Sequence, residues 1–285
     1  METIETALKS YIMEPERMRR LNAQRRKRGM QIPDLKTFLI VCPLVFLGGL
    51  IDAIGGGGGL ISLPAYLLAG IPAHQAIATN KMSAVCGTAV ATVRLLKNRK
   101  PNIPIVLVSI AAAIVGASVG ARLSLAADEQ VILYMMSVLL PICAYVVLNK
   151  KLFRDPENEE IAVTGKMVLL SGVCALLCGV YDGFYGPGTG TFLIIAFTVL
   201  AKMSISLANT HAKIINLTTG VTSFIVFLQN GQVILVLGAV AALFNMIGGY
   251  VGAGLAVKKG SKLVRYSIMT VLLLLMVKVI FLREI

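Results

Sequence analysis

The chain has 285 residues, 56% of them hydrophobic and only 14% charged, with a formal net charge of +13. A soluble domain carries roughly 25% charged residues, so this composition excludes an ordinary soluble enzyme. The basic balance is then read as membrane anchoring rather than nucleic-acid binding, because long segments are almost free of charge and the basic residues sit between them.

Residues 1–36 form a basic tail carrying Arg17, Arg19, Arg20, Arg25, Arg26, Lys27, Arg28 and Lys36. It does not read as a cleaved signal, since the basic stretch is long and no small-x-small site follows the first apolar run. Ile4, Leu8, Tyr11 and Ile12 fall at helical spacing, which predicts a short membrane-surface helix before Pro15. Apolar segments follow at 35–53, 103–120, 131–148, 167–180, 233–257 and 266–282, each close to the roughly 20 residues that cross hydrocarbon. Two more, 76–96 and 207–228, begin with polar residues. Basic clusters at 94–100, 150–154 and 258–265 read as loops against anionic headgroups. Five cysteines, Cys42, Cys86, Cys143, Cys174 and Cys178, lie in apolar segments without a His or acid beside them and read as packing residues, not a metal site.

The chain reads as two halves of one pattern. "GGLIDAIGGGGG" at 48–59 has its counterpart in "CGVYDGFYGPGTG" at 178–190, so that Asp52 matches Asp182, Gly56 matches Gly186 and Gly58 matches Gly188, each 130 residues on. "AIATNK" at 76–81 matches "ANTHAK" at 208–213, now 132 residues on, and Gly116 and Gly120 match Gly248 and Gly252 at that same spacing. The organisation is therefore a tail (1–36), a first transmembrane repeat (37–148), a hydrophilic linker (149–166) and a second repeat (167–285). The expected fold is an all-α polytopic membrane protein of two homologous repeats, with about eight transmembrane helices plus two short re-entrant or broken helices.

Five consecutive glycines interrupt the first apolar stretch, and residues 60–69 beyond them make only about 15 Å of helix. A helix that stops at membrane depth strands backbone groups that lipid cannot satisfy, unless it lines a cavity or packs into protein. Glycine allows positive φ and close approach, while the amides of the following half-helix present a partial positive charge. A flexible linker is the plain alternative, but the break recurs in the second half beside the same aspartate. Gly56, Gly57, Gly58, Gly59, Gly186, Pro187 and Gly188 are accordingly expected to bind substrate.

Ionisable residues at membrane depth usually face a pathway. Lys81 and Lys213 occupy equivalent places near the starts of long helices and would add to an anion-attracting field, although they could instead snorkel to the headgroups. Asp52 and Asp182 could carry protons, act as counter-ions for those lysines, or cap helix ends. Thr79, Asn80, Asn216 and His211 supply further hydrogen-bonding groups, His211 standing where the first half has Thr79. The Gly116/Gly120 and Gly248/Gly252 pairs read as close helix contacts.

With these residues, "IDAIGGGGGLISLPAYLLAGIPAHQAIATNK" and "GVYDGFYGPGTGTF" followed by His211, Lys213 and Asn216, the chain resembles the TauE/SafE family of sulfite exporter-like permeases over about residues 33–282. The resemblance implies transport of sulfite, sulfonates or related small organic anions across the cytoplasmic membrane, without a cofactor and without nucleic acid. On this reading the partners are a small anionic substrate and the lipid bilayer, a homo-oligomer is compatible with the sequence, and the chain is not an enzyme. A membrane-embedded assembly or receptor component and an integral membrane enzyme are the alternatives.

The direction of the halves is ambiguous from charge. If each short segment returns to the side it came from, the chain has eight spans and both termini in the cytoplasm, which suits the tail. If each completes a crossing, the halves are inverted and the three basic loops share one side. The eight-span arrangement is the expectation.

Overall fold

The computed structural model describes residues 33–128, 130–131 and 163–282. The surface helix at 4–12, the apolar segment 131–148, most of the linker and Cys143 lie outside the described residues. Eight helices, and no strand, are found among the described residues: α1 (Leu35–Gly55), α2 (Gly59–Leu68), α3 (Ala73–Leu96), α4 (Ile103–Ala126), α5 (Gly165–Phe184), α6 (Thr189–Val199), α7 (Ile205–Gln229) and α8 (Leu235–Leu282). Five stretches are long and apolar enough to cross a bilayer: α1, α4, α5, α7 and Leu235–Lys259 of α8. α3 matches them in length but carries Asn80, Lys81 and Arg94. The outward faces are apolar, with Leu107, Leu169, Leu177, Leu243 and Ile247 all exposed, whereas Asn80, Lys81 and Thr88 of α3 and Asn209, His211 and Lys213 of α7 are buried. That distribution suits lipid as the surrounding solvent.

The order of elements is the same in each half: long helix, glycine break, short helix, then two long helices. Close packing of small residues fixes the directions. Gly116 packs on the backbone of Leu176 and Gly120 on that of Val180 and Phe184, so α4 and α5 run parallel. Gly248 meets Phe46 and Leu50, and Gly252 meets Leu50 and Ala53, so α8 and α1 also run parallel. The two expected small-residue pairs are thus helix contacts, and each joins the second long helix after one break to the first helix of the other half. α8 is parallel to α3 as well, through Met82–Gly238, Gly87–Gly249 and Arg94–Gly254.

α3 and α7, by contrast, are antiparallel. Val85 faces Gly220, and the Thr92 hydroxyl donates to the Lys213 carbonyl at 3.4 Å. α1 and α3 therefore point one way and α7 the other, and α2 carries the chain back to the end where α1 began. This is the inverted arrangement, not the same-sense one expected. Hydropathy marks where helices are but not which way they run, and the two charge arguments pointed in opposite directions.

A second correction concerns α8. A loop was expected at 258–265, yet the backbone is helical from Leu235 to Leu282, about 72 Å at 1.5 Å per residue. The segment contains no proline, and its one glycine, Gly260, costs a helix only about 1 kcal/mol.

One end of the bundle is basic. It gathers Arg94 in the last turn of α3, Lys97, Arg99 and Lys100 after it, Lys166 at the start of α5, Lys202 before α7, and Lys258 and Lys259 of α8, with no acidic residue among the described ones. The opposite end carries Asp34, Lys36, Arg122 and Asp128.

Candidate functional site

The site begins with the two helix breaks. α1 ends where the Gly56 amide donates to the Asp52 carbonyl at 2.8 Å. Gly56 and Gly57 take φ of +79° and +81°, a region that side chains disfavour, and the chain reverses into α2. The Asp52 carboxylate then accepts from the Gly58 amide at 3.3 Å, an acid at the positive end of a half-helix. In the second break Gly186 and Gly188 have φ of +98° and +92° on either side of Pro187. There the Thr189 hydroxyl donates to the Gly186 carbonyl at 2.6 Å.

The breaks meet each other. A Cβ on Gly59 would lie 3.0 Å from Pro187 Cα, the Thr191 hydroxyl donates to the Gly55 carbonyl at 3.0 Å, and Asn209 Nδ2 donates to the Ile54 carbonyl at 3.2 Å. Glycines are needed because the two backbones touch.

Two ion pairs cross between the halves. Lys81 Nζ lies 2.7 Å from Asp182 Oδ2, and Lys213 Nζ lies 2.6 Å from Asp52 Oδ2. Each lysine is matched by the aspartate of the other half, so the four groups carry no formal net charge. Of the roles open to Asp52 and Asp182, counter-ion to a lysine is the one this geometry displays. Removing either member would leave a buried charge unpaired, so the pairs constrain how the halves can separate.

Between the breaks lies a cavity of about 50 Å³. Of the residues expected to bind substrate or move protons, Asp52, Gly58, Gly59, Asn80, Lys81, Asp182, Gly186, Pro187, Gly188 and Asn216 line it. Gly56, Gly57, Thr79, His211 and Lys213 do not. Gly56 and Gly57 shape the turn, and Lys213 is sealed behind Asp52 at 0% exposure. Thr79 and His211 have a shared task elsewhere. The Thr79 hydroxyl accepts the Ile234 amide at 3.0 Å, and His211 Nε2 accepts the Asn102 amide at 3.1 Å. Each satisfies an amide just before a long helix of the other half, α8 for Thr79 and α4 for His211. Because Nε2 accepts, the proton is on Nδ1, which faces the Leu207 carbonyl at 3.0 Å. Both nitrogens of this neutral ring are occupied by backbone.

Sequence reasoning missed Ser62, Thr88, Thr189 and Asn245, which also line the cavity. Asn245 is the clearest omission. It is buried on α8 in a slot between Gly49 and Gly87, and a Cβ on Gly49 would come within 2.6 Å of its Oδ1. A lone asparagine in an otherwise apolar span was the available signal. Asn80 Oδ1 is buried without a partner, so the cavity retains unspent hydrogen-bonding capacity.

Residues 41–279 match the family described as sulfite exporter TauE/SafE. The "Probable membrane transporter protein YfcA" of Escherichia coli (strain K12) is 32% identical over 241 residues, which is 84% of this chain and 87% of that protein. The "Probable membrane transporter protein ORF9" of Sinorhizobium sp is 32% identical over 250 residues, covering 86% and 92%. A "Probable membrane transporter protein" of Haemophilus influenzae is 30% identical over 237 residues, covering 83% and 91%. No solved structure matches the chain. With the family model matching residues 41–279 and a relative 32% identical over 84% of its length, the chain belongs to the TauE/SafE family of membrane transporters.

Proposed function

We propose that the protein is a permease of the cytoplasmic membrane that moves small anions, sulfite, sulfonates or related organic anions, by alternating access between two inverted homologous repeats. The observation that carries this reading is the cavity at which both half-helix N-termini converge, crossed by the Lys81–Asp182 and Lys213–Asp52 pairs. Amides at helix starts and the side-chain amides of Asn80 and Asn216, which line the cavity, offer donors to an oxyanion without a fixed positive charge. Transport is proton-coupled. A proton on an aspartate releases its lysine, the anion takes the place of the carboxylate, and the exchange keeps the cavity electroneutral. The family's own description, sulfite exporter, supports the substrate class. The basic end of the bundle faces the cytoplasm by the positive-inside tendency.

The test is flux in proteoliposomes. Labelled sulfite and isethionate are followed with and without a pH gradient, in the wild type and in a Lys81→Ala/Lys213→Ala variant. Gradient-dependent accumulation that the double variant abolishes is the expected result. Equal behaviour of both proteins across a panel of anions would reject the reading.

A further inference from the structure

The two ion pairs match in sequence position but not in surroundings. Lys81 and Asp182 both line the cavity, whereas Asp52 lines it and Lys213 is sealed away from it. Asp52 accepts from Lys213 at 2.6 Å, from the Gly58 amide at 3.3 Å and from the Thr88 hydroxyl at 3.5 Å. Among the described residues Asp182 has one ion pair, to Lys81 at 2.7 Å. More donors therefore stabilise the Asp52 carboxylate than the Asp182 carboxylate among the contacts described.

An inverted pair of halves could exchange these roles as the transporter switches sides. The residues responsible cannot be exchanged, however. Thr88, the third donor to Asp52, is matched in the other half by Gly220. Asn80, beside Lys81 and with a buried partnerless Oδ1, is matched by Ala212. Asn245 is matched by Ala113. The difference belongs to the sequence and persists in every conformation.

We propose that the pairs divide the work: Lys81–Asp182 opens to take the cargo anion and its proton, while Lys213–Asp52 stays closed as a tie between the halves. This rests on the anion-permease reading above. In the working step a proton adds to Asp182, the Lys81 ammonium exchanges the carboxylate for one anionic oxygen of the cargo, and the side-chain NH2 of Asn80, which lines the cavity, donates to the cargo beside it. One proton and one monoanion enter together, so the net charge is unchanged. The titratable groups around Asp182 are Lys81 on α3 and Cys178, Tyr181 and Tyr185 on its own helix. Asp52 and Lys213 stand across the cavity. The α4 residues packed on α5, Ala113, Ala117, Gly120 and Ala121, cannot titrate, and α6 carries no titratable residue.

The experiment measures isethionate affinity by calorimetry at pH 6, 7 and 8 on the purified full chain in lipid nanodiscs. A sulfonate remains a monoanion across this range, so the protein alone sets the slope. Wild-type affinity should tighten about tenfold for each unit of pH lowered while Asp182 is ionised in the empty protein. Asp182→Asn should bind with no pH slope, and more tightly than wild type at pH 8. Asp52→Asn should keep the tenfold slope whatever its absolute affinity. Thr88→Val, a milder probe of the same pair, should keep it too. Asn80→Ala should weaken binding at least tenfold at every pH without altering the slope. A flat Asp52→Asn or Thr88→Val, or a sloping Asp182→Asn, overturns the division while leaving the permease reading intact. A wild type that binds no isethionate at any pH overturns both.

Discussion

The two glycine breaks reverse the chain at the same depth, but they are walled by different materials. Around Gly56 the neighbours are backbone, the Thr191 amide and the Gly190 carbonyl carbon. Around Gly186 the nearest atom to an added Cβ is the end of a flexible side chain, Lys81 Nζ at 2.7 Å, and around Gly188 it is the Phe192 ring at 3.5 Å. The first break is a fixed point wedged against the second, whereas the second has side chains that can yield. That contrast parallels the ion pairs. The tie, Lys213–Asp52, begins at the rigid break, and the pair open to the cavity, Lys81–Asp182, begins at the adaptable one. Inverted halves need not contribute equally.

The most severe way to break the comparison is Gly56→Val, which adds side-chain atoms at positive φ directly onto backbone. A loss above about 4 kcal/mol is expected, seen as the absence of a monodisperse peak in size-exclusion chromatography. Asp182→Ala, which strands Lys81 in a buried site, should cost about 3–5 kcal/mol in thermal unfolding, and Asp182→Asn distinctly less. His211→Ala should cost about 1–3 kcal/mol, because the Asn102 amide loses its acceptor, and His211→Gln should recover part of that. Gly188→Ala, at the roomy break, should cost only about 1–2 kcal/mol from its backbone conformation. If Gly56 and Gly188 proved equally sensitive, the distinction between rigid and adaptable breaks would fail. The smallest effect is expected at Arg94→Ala. It removes a 2.7 Å bond to the Tyr250 carbonyl and a guanidinium 4.0 Å from the Tyr250 ring, both at an exposed site, and should change stability by at most about 1 kcal/mol.

Much of this was legible from residues alone. The apolar runs marked the helices, the glycine clusters marked the breaks, and Asp52, Asp182, Lys81 and Lys213 stood out as charges where charge is costly. The Gly116/Gly120 and Gly248/Gly252 spacing identified tight helix crossings. What stayed hidden depends on direction and distance. Helix polarity leaves no trace in hydropathy, and the charge signal for an inverted α7, three basic loops on one side, was outweighed by the basic tail. Thr79 and His211 looked like site residues because they flank the lysines, but their partners, Ile234 and Asn102, are more than a hundred residues away. That the aspartates could be counter-ions for the lysines was legible, but the pairing of each lysine with the aspartate of the opposite half is a tertiary fact of the same kind. Asn245 could have been found as a solitary amide in a span. Its slot between Gly49 and Gly87 could not, because it forms only when α1, α3 and α8 meet.

The central claim is that each half supplies the counter-charge for the other. A double-mutant cycle on thermal stability tests it most directly, combining Lys81→Met with Asp182→Asn and, separately, Lys81→Met with Asp52→Asn. Crossed pairing predicts a coupling of about 1–3 kcal/mol for Lys81 with Asp182 and a much smaller one for Lys81 with Asp52. A larger coupling within the half, between Lys81 and Asp52, would contradict the account.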